Sequence, residues 1–332
     1  MEKVILEIEH LRTTFNTARG LVKAVDDISL RVYENEILGI VGESGCGKSV
    51  TSLSIMGLLP QSVALIEQGS IRFDGMDLVQ LPEEKIRRIR GNQIAMIFQE
   101  PMTSLNPVFT IGEQLSEPLR HHTKLGRKER RKKIIEMLNL VGIPRADEII
   151  DEYPHQLSGG MRQRVMISLA MLCRPKLLIA DEPTTALDVT IQAQIVDLMK
   201  TIQLENNMSI LLITHDLGVV AEMCHRVVVM YAGKVVESAD VRTIFNQPKH
   251  PYTRGLLASL PTHHEHKSEM PSIPGNVPRP DELPTGCSFA PRCSSAFDKC
   301  LVESPPLYQF GRQECRCWLY ENNDQEVLAD AR

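Results

Sequence analysis

The chain has 332 residues, of which 42% are apolar and 24% are charged, and its formal net charge is −5. This balance excludes a strongly basic nucleic-acid binder and a disordered acidic protein. The first residues, MEKVILEIEH, lack the apolar run of a secretory signal, and no stretch reaches the roughly eighteen apolar residues of a membrane-spanning helix. We therefore expect a soluble, cytoplasmic protein with reduced thiols, whose membrane role would come through partners.

The N-terminal half contains strand patterns followed by helix patterns. VILEIEHL alternates apolar and polar residues like a half-buried strand, and DDISLRVYENEILGIVG predicts two more strands, the second covered on both faces. KSVTSLSIMGLL has helical spacing, and helical patterns with charged faces dominate residues 84–150. MRQRVMISLAMLCRP predicts another helix, which Pro175 ends.

Strand patterns return in the second half. KLLIAD and SILLIT are short buried-strand runs, and VVVMYAGKVVES predicts a hairpin that turns at Ala232 and Gly233. Strands alternating with helices predict a mainly parallel α/β sheet, interrupted by a helical insert. Beyond residue 240 the composition changes: residues 261–286 contain six of the twenty prolines, which predicts an extended linker before a cysteine-rich tail.

A phosphate-binding loop is predicted between a strand and a helix. GESGCGKS fits the pattern G-x-x-x-x-G-K-S, whose glycines let successive N–H groups face one anion at a helix N-terminus. Lys48 would reach the β- and γ-phosphates, and Ser49 would offer a hydroxyl to Mg²⁺. Cys46 is interpreted as a small filler without a redox role. The predicted nucleotide contacts of this segment are Gly42, Glu43, Ser44, Gly45, Cys46, Gly47, Lys48, Ser49 and Val50.

A pair of carboxylates supplies the second half of this site. LLIADE is a buried strand that ends in Asp181 and Glu182. Asp181 would hold Mg²⁺ through water, and Glu182 would polarise the attacking water as a general base. A plain helix cap is the alternative for this pair. Together the two motifs indicate a nucleoside triphosphatase.

A second phosphate-binding helix start follows from LSGGMRQR, where Ser158, Gly159 and Gly160 open a helix. Both helix starts can face one nucleotide if two chains dimerise head to tail. With these motifs, residues 1 to about 240 resemble the ATPase subunits of ABC transporters, whose signature is LSGGQ. Met161 stands where Gln is usual, a substitution common in the peptide-importer branch.

The resemblance implies a fold and further site residues. The fold is α/β: a RecA-like P-loop ABC ATPase core with an N-terminal antiparallel β subdomain, a helical subdomain at about 85–160 and an irregular C-terminal extension. Gln99 matches the glutamine that touches Mg²⁺ together with Ser49 and Asp181, and Asp188 matches the end of the D-loop, Ala186–Asp188. His215 matches the switch histidine that assists Glu182, although an ordinary strand-end histidine is the alternative. Phe15 matches the aromatic that stacks on adenine, or else packs in the core.

The tail resembles the C-terminal extension of oligopeptide and dipeptide importer ATPases. HPYTRGLLASLP, IPGNVP and GCSFAPRC carry this resemblance. It implies an ABC domain at 1–240, an extension at 241–332, and ATP-driven dimer closure that powers peptide import, with a nickel or glutathione importer as the alternative. The implied partners are a second ABC ATPase subunit, either a paralogue or this chain itself, two membrane permease subunits and, indirectly, an extracytoplasmic peptide-binding protein. Nucleic acid is not an implied partner, and the subunit would lie at the cytoplasmic face of the membrane.

Five of the eight cysteines lie in this tail. A disulfide framework fits a cytosolic ATPase poorly, and the tight C-x2-C pairs of zinc sites are missing. Four thiolates on an irregular segment can hold a cubane cluster, whereas zinc or unligated thiols stay open as alternatives. The family resemblance implies a [4Fe–4S] cluster whose last cysteine precedes a run like WLY. The implied ligands are Cys287, Cys293, Cys300 and Cys317, which leaves Cys315 as the spare.

Two other classes remain as rivals. The first is a soluble ABC ATPase of translation or of DNA repair. The translation type carries two cassettes per chain, whereas this chain has one. The repair type inserts long coiled coils, whereas this sequence has no heptad run. An iron–sulfur redox sensor with a regulatory ATPase is the other rival. Redox-dependent ATPase activity of the isolated subunit would favour it, and co-purification with membrane proteins would favour the importer.

Overall fold

The computed structural model describes residues 3–18, 20–99, 104–185, 188–260, 273–279, 282–321 and 326–328. The chain divides into two compact units. The phosphate-loop unit comprises residues 4–32, 37–79 and 213–332, and the signature unit comprises residues 1–3, 33–36 and 80–212.

The described residues form strands and helices of the following bounds. The strands are β1 (Val4–Thr17), β2 (Gly20–Tyr33), β3 (Ile37–Val41), β4 (Ala64–Phe73), β5 (Met76–Asp77), β6 (Ile94–Ile97), β7 (Leu177–Asp181), β8 (Ser209–Ile213), β9 (Arg226–Tyr231), β10 (Lys234–Asp240), β11 (Leu307–Phe310), β12 (Gln313–Cys315) and β13 (Glu326–Leu328). The helices are α1 (Lys48–Met56), α2 (Glu83–Ile89), α3 (Ile111–His122), α4 (Arg127–Leu140), α5 (Ala146–Ile149), α6 (Gly159–Met171), α7 (Val189–Asn206), α8 (Leu217–Met223), α9 (Val241–Asn246), α10 (Pro251–Ala258) and α11 (Asp298–Val302). None of these helices is both long enough and apolar enough to cross a membrane.

An antiparallel sheet opens the phosphate-loop unit. Its four strands follow the order β2-β1-β4-β5, and β1 pairs with β4 in antiparallel register from Leu6–Phe73 to Phe15–Ala64. The alternation in VILEIEHL matches this arrangement from Leu6 onward, because Leu6 and Ile8 are buried whereas Glu7 between them is half-buried; Ile5 is buried as well. This sheet is the N-terminal antiparallel β subdomain that the resemblance implied.

The strand before the phosphate loop lies in a second sheet of the same unit. β3 is buried throughout and pairs in parallel with β9, in a register that joins Leu38 to Arg226. β9 returns as β10 through a tight turn at Ala232 and Gly233, whose φ angles are 46° and 82°. Positive φ at both central residues is what a two-residue hairpin turn of type I′ requires. The predicted hairpin is therefore confirmed.

The C-terminal extension continues this second sheet. β12 pairs with β10 in antiparallel fashion, joining Cys315 to Glu237, and β11 pairs with both β12 and β13. The sequence patterns had not indicated these short strands or α10 and α11. Much of the predicted proline-rich linker, residues 261–272 and 280–281, lies outside the described residues. The domain boundary at residue 240 stays a prediction.

A buried carboxylate attaches the extension to β10. Glu237 is fully buried and accepts hydrogen bonds from the backbone N–H groups of Lys249 (2.7 Å) and His250 (2.9 Å) and from the side-chain amide of Gln313 (2.8 Å). His250 in turn caps α10, because its Nδ1 accepts from the N–H of Tyr252 at 3.1 Å. Burial lowers the pKa of His250 to about 3. The imidazole is therefore neutral in the folded chain at neutral pH.

The signature unit combines three strands with most of the predicted helices. β6 and β7 pair in parallel, and β8 lies beside β7. The charged pattern GRKERRKKIIEML forms α4, and MRQRVMISLAMLCRP forms α6, which ends at Met171, four residues before Pro175. β6 was missed within the helical stretch 84–150, because a run of four apolar residues has no periodicity that separates a strand from a helix.

Replacing His250 by Asn tests whether this buried imidazole governs acid stability. The folded-state pKa lies below the ordinary value of 6.5, so the unfolded chain binds a proton that the folded chain refuses. The contribution of the neutral His250 side chain to stability is therefore fully present above pH 6.5. It is lost as the pH falls toward 3, and the free energy of unfolding then decreases by about 1.4 kcal/mol per pH unit. Asn keeps an acceptor for the N–H of Tyr252 and cannot be protonated.

Urea unfolding at pH 7.5, 6 and 5 measures the effect. We expect the His250→Asn variant to be less stable than the parent at pH 7.5 and to lose about 1.4 kcal/mol less per pH unit below pH 6. Equal pH slopes for the two proteins would show that another group controls acid unfolding.

Candidate functional site

Three glycines shape the loop between β3 and α1. Gly42, Gly45 and Gly47 have φ angles of 153°, 81° and 103°, in the region that side chains disfavour. A Cβ on Gly42 would lie 2.2 Å from the carbonyl oxygen of Met230, and one on Gly47 would lie 2.6 Å from that of Ala24. The loop can therefore adopt this curl only with glycine at these two positions, as the motif predicted.

The charge of Lys48 is held inside the loop. Its ammonium donates to the carbonyl oxygens of Gly42 (2.7 Å) and Glu43 (3.0 Å), and the residue is 5% exposed. The N-cap residue of α1 is Gly47, which has no side chain to accept from the first N–H groups of the helix. A buried cation beside a helix start of this kind is suited to bind a phosphate group.

Cys46 is a neutral part of this loop. The residue is fully buried, and its Sγ lies 3.8 Å from the Nζ of Lys48. Burial raises the pKa of the Cys46 thiol despite the nearby ammonium. The thiol stays protonated at neutral pH, which agrees with its interpretation as a filler.

Glu43 contacts the C-terminal extension, which sequence reasoning missed. Its N–H donates to the phenolic oxygen of Tyr252 at 2.9 Å, and its carboxylate accepts two hydrogen bonds from Arg292 at 2.7 and 3.0 Å. Tyr252 belongs to the HPY motif, and Arg292 to the PRC motif of the tail. These motifs were the available signal, but a sequence does not show which distant segment they contact.

In the signature unit, the structure brings Gln99 and Glu182 together. The side-chain amide of Gln99 donates to Oε2 of Glu182 at 3.0 Å, and the hydroxyl of Thr185 donates to the same oxygen at 2.9 Å. Glu182 has a φ of 49°, a strained conformation that is often found at functional sites. Asp181 precedes it at the buried end of β7. The motif analysis had selected both carboxylates and Gln99, but not Thr185.

The LSGGM segment opens α6 as predicted. Ser158 is exposed and caps the helix, because its hydroxyl accepts from the N–H of Met161 at 3.3 Å. A Cβ on Gly159 would meet nothing within 4 Å among the described residues, so this helix start is open. Gln163, which the sequence did not single out, is buried and donates to the carbonyl oxygen of Pro183. This bond connects α6 to the turn that follows Glu182.

The other residues that the resemblance selected lie at ends and edges of elements. His215 is exposed between β8 and α8, and Asp188 caps α7 by accepting from the N–H of Ile191 at 2.9 Å. Phe15 is half-buried on β1, opposite Ala64. The remaining D-loop residues, Ala186 and Leu187, lie outside the described residues. The roles assigned to His215, Asp188 and Phe15 stay predictions.

Four of the five tail cysteines line one small cavity in the extension. Cys287, Cys293, Cys300 and Cys317 converge there with His250, Phe289 and Trp318, whereas the described lining does not include Cys315. Burial raises the pKa of Cys317 to about 12, and the other three sulfurs contribute to the shift. Across the described ranges, no group of three or more His, Cys, Asp or Glu side chains could hold a metal ion as they stand.

Comparisons with known proteins match two parts of this chain to two families. Residues 25–185 match the ABC transporter family, and residues 236–300 match the oligopeptide/dipeptide transporter C-terminal region. The chain is 53% identical to the oligopeptide transport ATP-binding protein AppD of Bacillus subtilis, over 97% of this chain and 98% of the relative. It is 49% identical to the dipeptide transport ATP-binding protein DppD of the same organism, over 99% and 98%.

Solved structures define the class. The ATP-binding cassette MJ0796, a dimer in a post-hydrolysis state with ADP and Pi, superposes with a TM-score of 0.64 at 28% identity, covering 71% of this chain and 99% of that one. This likeness and the phosphate loop define an ABC-type ATPase with the α/β fold that the sequence predicted. The chain belongs to the ABC transporter family, in its branch of oligopeptide and dipeptide transporter ATP-binding proteins.

Substituting Gly42 by Ala tests whether the loop needs glycine for space as well as for its φ angle. We expect Gly42→Ala to lower the free energy of unfolding by about 3 kcal/mol, because its Cβ would collide with the backbone of Met230. Gly45→Ala is the matched control: its φ of 81° is also unfavourable, but its Cβ would meet nothing within 4 Å among the described residues. We expect about 1 kcal/mol there. Urea unfolding measures both values, and equal losses would argue against a steric constraint at Gly42.

Proposed function

We propose that this chain is the ATP-hydrolysing, energy-coupling subunit of an importer for oligopeptides or dipeptides. The observation that carries the hydrolytic part is the contact between Gln99 and Glu182 at the end of β7, where Glu182 is held by two hydrogen bonds. The peptide cargo is supported by the extent of the likeness to AppD and DppD, which includes the extension. A nickel or glutathione importer would use the same subunit chemistry and stays the alternative.

The phosphate loop supplies the nucleotide site. Its N–H groups and Lys48 bind the β- and γ-phosphates of ATP, and Phe15 stacks on adenine. Ser49, Gln99 and Asp181 hold Mg²⁺, which neutralises phosphate charge when it is bound. Hydroxyl, amide and carboxylate oxygens are the ligands that Mg²⁺ prefers.

Glu182 is the general base for the attacking water. Its carboxylate needs a fixed orientation to take a proton from water, and the hydrogen bonds from Gln99 and Thr185 to Oε2 support such an orientation. His215 assists by contacting the γ-phosphate. Proton abstraction by a positioned carboxylate contributes about 10²- to 10⁴-fold to such reactions.

A second subunit completes the site through its LSGGM segment. The exposed Ser158 and the open Gly159 support this role, because another chain can approach the N-terminus of α6 there. Each ATP is then clamped between the phosphate loop of one subunit and the α6 start of the other, with Asp188 near the shared interface. Hydrolysis removes the γ-phosphate that joins the two surfaces, and the dimer opens.

The partners follow from this dimer cycle. The second ATPase subunit is a paralogue or this chain itself, and two membrane permease subunits receive the closing motion near Gln99. An extracytoplasmic peptide-binding protein delivers cargo to the permeases, and the ATPase works as a peripheral protein at the cytoplasmic face of the membrane. We assign this cycle to residues 1–240 and treat residues 241–332 as the extension.

Glu182→Gln tests the general base. Gln keeps acceptor geometry for Gln99 and Thr185 but cannot take a proton, so we expect ATP hydrolysis to fall at least about 100-fold while an ATP-bound dimer accumulates. Phosphate release and size-exclusion chromatography with ATP measure the two effects. Glu205→Gln, an exposed residue of α7, is the matched control and should keep parental turnover. Parental hydrolysis by the Glu182 variant would show that another group is the base.

The cysteine cavity supports a [4Fe–4S] cluster as the resident group of the extension. The donor set fits, because four thiols from separate short segments converge on one cavity and a cubane cluster is held by four cysteine thiolates. Zinc and unligated thiols stay the alternatives for this cavity. Binding requires Cys287, Cys293 and Cys317 to lose their protons against a raised pKa, which the positive charge of iron makes possible.

Cys317→Ser and Cys315→Ser discriminate between the two candidates for the fourth ligand. Cys317 lines the cavity, whereas Cys315 is a buried residue of β12. We expect an anaerobic preparation of the parent and of Cys315→Ser to contain about four iron and four sulfide per chain, and Cys317→Ser to lose most of both. Iron and sulfide analysis measures the outcome. Stoichiometric zinc in a colourless parent would refute the cluster, and loss of iron in Cys315→Ser alone would reverse the ligand choice.

A further inference from the structure

We propose that the C-terminal extension positions the phosphate loop through Glu43, and that Arg292 and Tyr252 are the positioning residues that set the affinity for ATP. This inference rests on the proposed ATPase function. It assigns a role to the HPY and PRC motifs, which the nucleotide chemistry described above does not use. All the contacts that carry it lie within the phosphate-loop unit.

Arg292 is anchored on the extension before it reaches the loop. Its side chain is 4% exposed, and its Nε donates to the carbonyl oxygen of Pro274 at 2.8 Å. Its two terminal nitrogens donate to the two carboxylate oxygens of Glu43, and one of them also lies 3.4 Å from the hydroxyl of Tyr231. A bidentate pair of this kind fixes direction as well as charge, because the guanidinium is planar and rigid.

Tyr252 contacts Glu43 from a second direction. The residue is fully buried at the start of α10, and its hydroxyl accepts from the N–H of Glu43 at 2.9 Å. Its ring packs against Tyr231, with ring centres 4.7 Å apart, and against Phe289 at 5.4 Å. The hydroxyl therefore has a fixed position, and both the backbone and the side chain of Glu43 are bound by the extension.

Glu43 determines the geometry of the rest of the loop. Its carbonyl oxygen accepts from the ammonium of Lys48 at 3.0 Å and from the N–H of Cys46 at 3.3 Å. A displacement of Glu43 would therefore move the lysine and the turn that bind phosphate. The effect resembles that of other outer contacts that orient binding groups without touching the ligand.

Charge gives a second reason for the pairing. Glu43 is an acidic residue inside a loop that binds an anion, and its carboxylate is 32% exposed. An unpaired carboxylate at this position would repel the phosphates of ATP. Arg292 neutralises it through the two hydrogen bonds that its guanidinium donates to the Glu43 carboxylate. Loss of Arg292 should therefore weaken ATP binding through both geometry and repulsion.

The extension also links these residues to the cysteine cavity. Arg292 directly precedes Cys293, and Phe289 lines the cavity while it packs against Tyr231 and Tyr252. The segment that presents Arg292 is therefore the same segment that carries two of the four convergent thiols. Folding of this segment and positioning of the phosphate loop depend on one local structure.

The test measures the Kd for ATP, the KM for ATP and kcat in the full chain. We expect Arg292→Leu to raise Kd and KM about tenfold while kcat at saturating ATP changes less than about threefold. Arg292→Lys keeps the charge without the bidentate geometry, so its Kd should lie between those of the parent and of Arg292→Leu. Tyr252→Phe should raise Kd about threefold. The matched control is Arg254→Leu, an arginine of α10 that donates to the carbonyl oxygen of Pro248 and to the hydroxyl of Tyr320.

A double-mutant cycle separates positioning from a merely structural role. In a Glu43→Gln background the repulsive carboxylate is gone, so we expect Arg292→Leu to raise Kd less than about threefold there. If Arg292→Leu does not fold, the same cycle with Arg292→Lys decides the question. An unchanged Kd in Arg292→Leu, or equal effects in both backgrounds, refutes the inference. A parent protein that neither binds nor hydrolyses ATP refutes the proposed function instead.

Discussion

The curl of the loop between β3 and α1 is the constraint on which the remaining structure depends. Gly42 and Gly47 let the backbone approach the carbonyl oxygens of Met230 and Ala24 more closely than a Cβ atom would allow. The side chain of Lys48 folds back onto the carbonyl oxygens of Gly42 and Glu43. Three separate parts of the chain therefore meet the loop: β2, the β9–β10 hairpin and the C-terminal extension. The loop is a phosphate site because its own backbone is placed by these neighbours.

Much of the site could be predicted from the sequence, because its chemistry is local. The phosphate loop follows a buried strand, and the Asp181–Glu182 pair stands at the end of another. In each case a short stretch of sequence is enough to recognise the motif and its position in the fold. The Gln99 contact required more, since 83 positions separate it from Glu182. It was selected by family resemblance and not by spacing. β6 was missed because a short apolar run carries no period, and Thr185 and Gln163 were missed because ordinary polar residues have no distinguishing pattern.

The extension shows what the sequence could not provide. The four cysteines that the resemblance implied as ligands line one cavity, and their role stays a prediction. The strands of the extension and its contact with Glu43 were not anticipated. Arg292 and Glu43 are separated by 249 positions. A pairing over such a distance depends on how β10, β12 and α10 pack, and that packing is decided by buried groups such as Glu237 and His250. Composition alone predicted an extended linker and an irregular tail, because the segment is rich in proline and cysteine and shows no strand or helix periodicity.

The pairing of β12 with β10 has a consequence for any shortened version of this chain. A cassette cut after Asp240 would retain β10 but lose the strand that bonds to Val236, Glu237 and Ser238. The N–H and C=O groups of β10 that face β12 would then be exposed and could pair with a strand of a neighbouring molecule, which is a common start of aggregation. β12 therefore also covers the edge of the sheet at β10. Self-association of a truncated protein would result from this exposed edge strand and would not be a property of the ATPase.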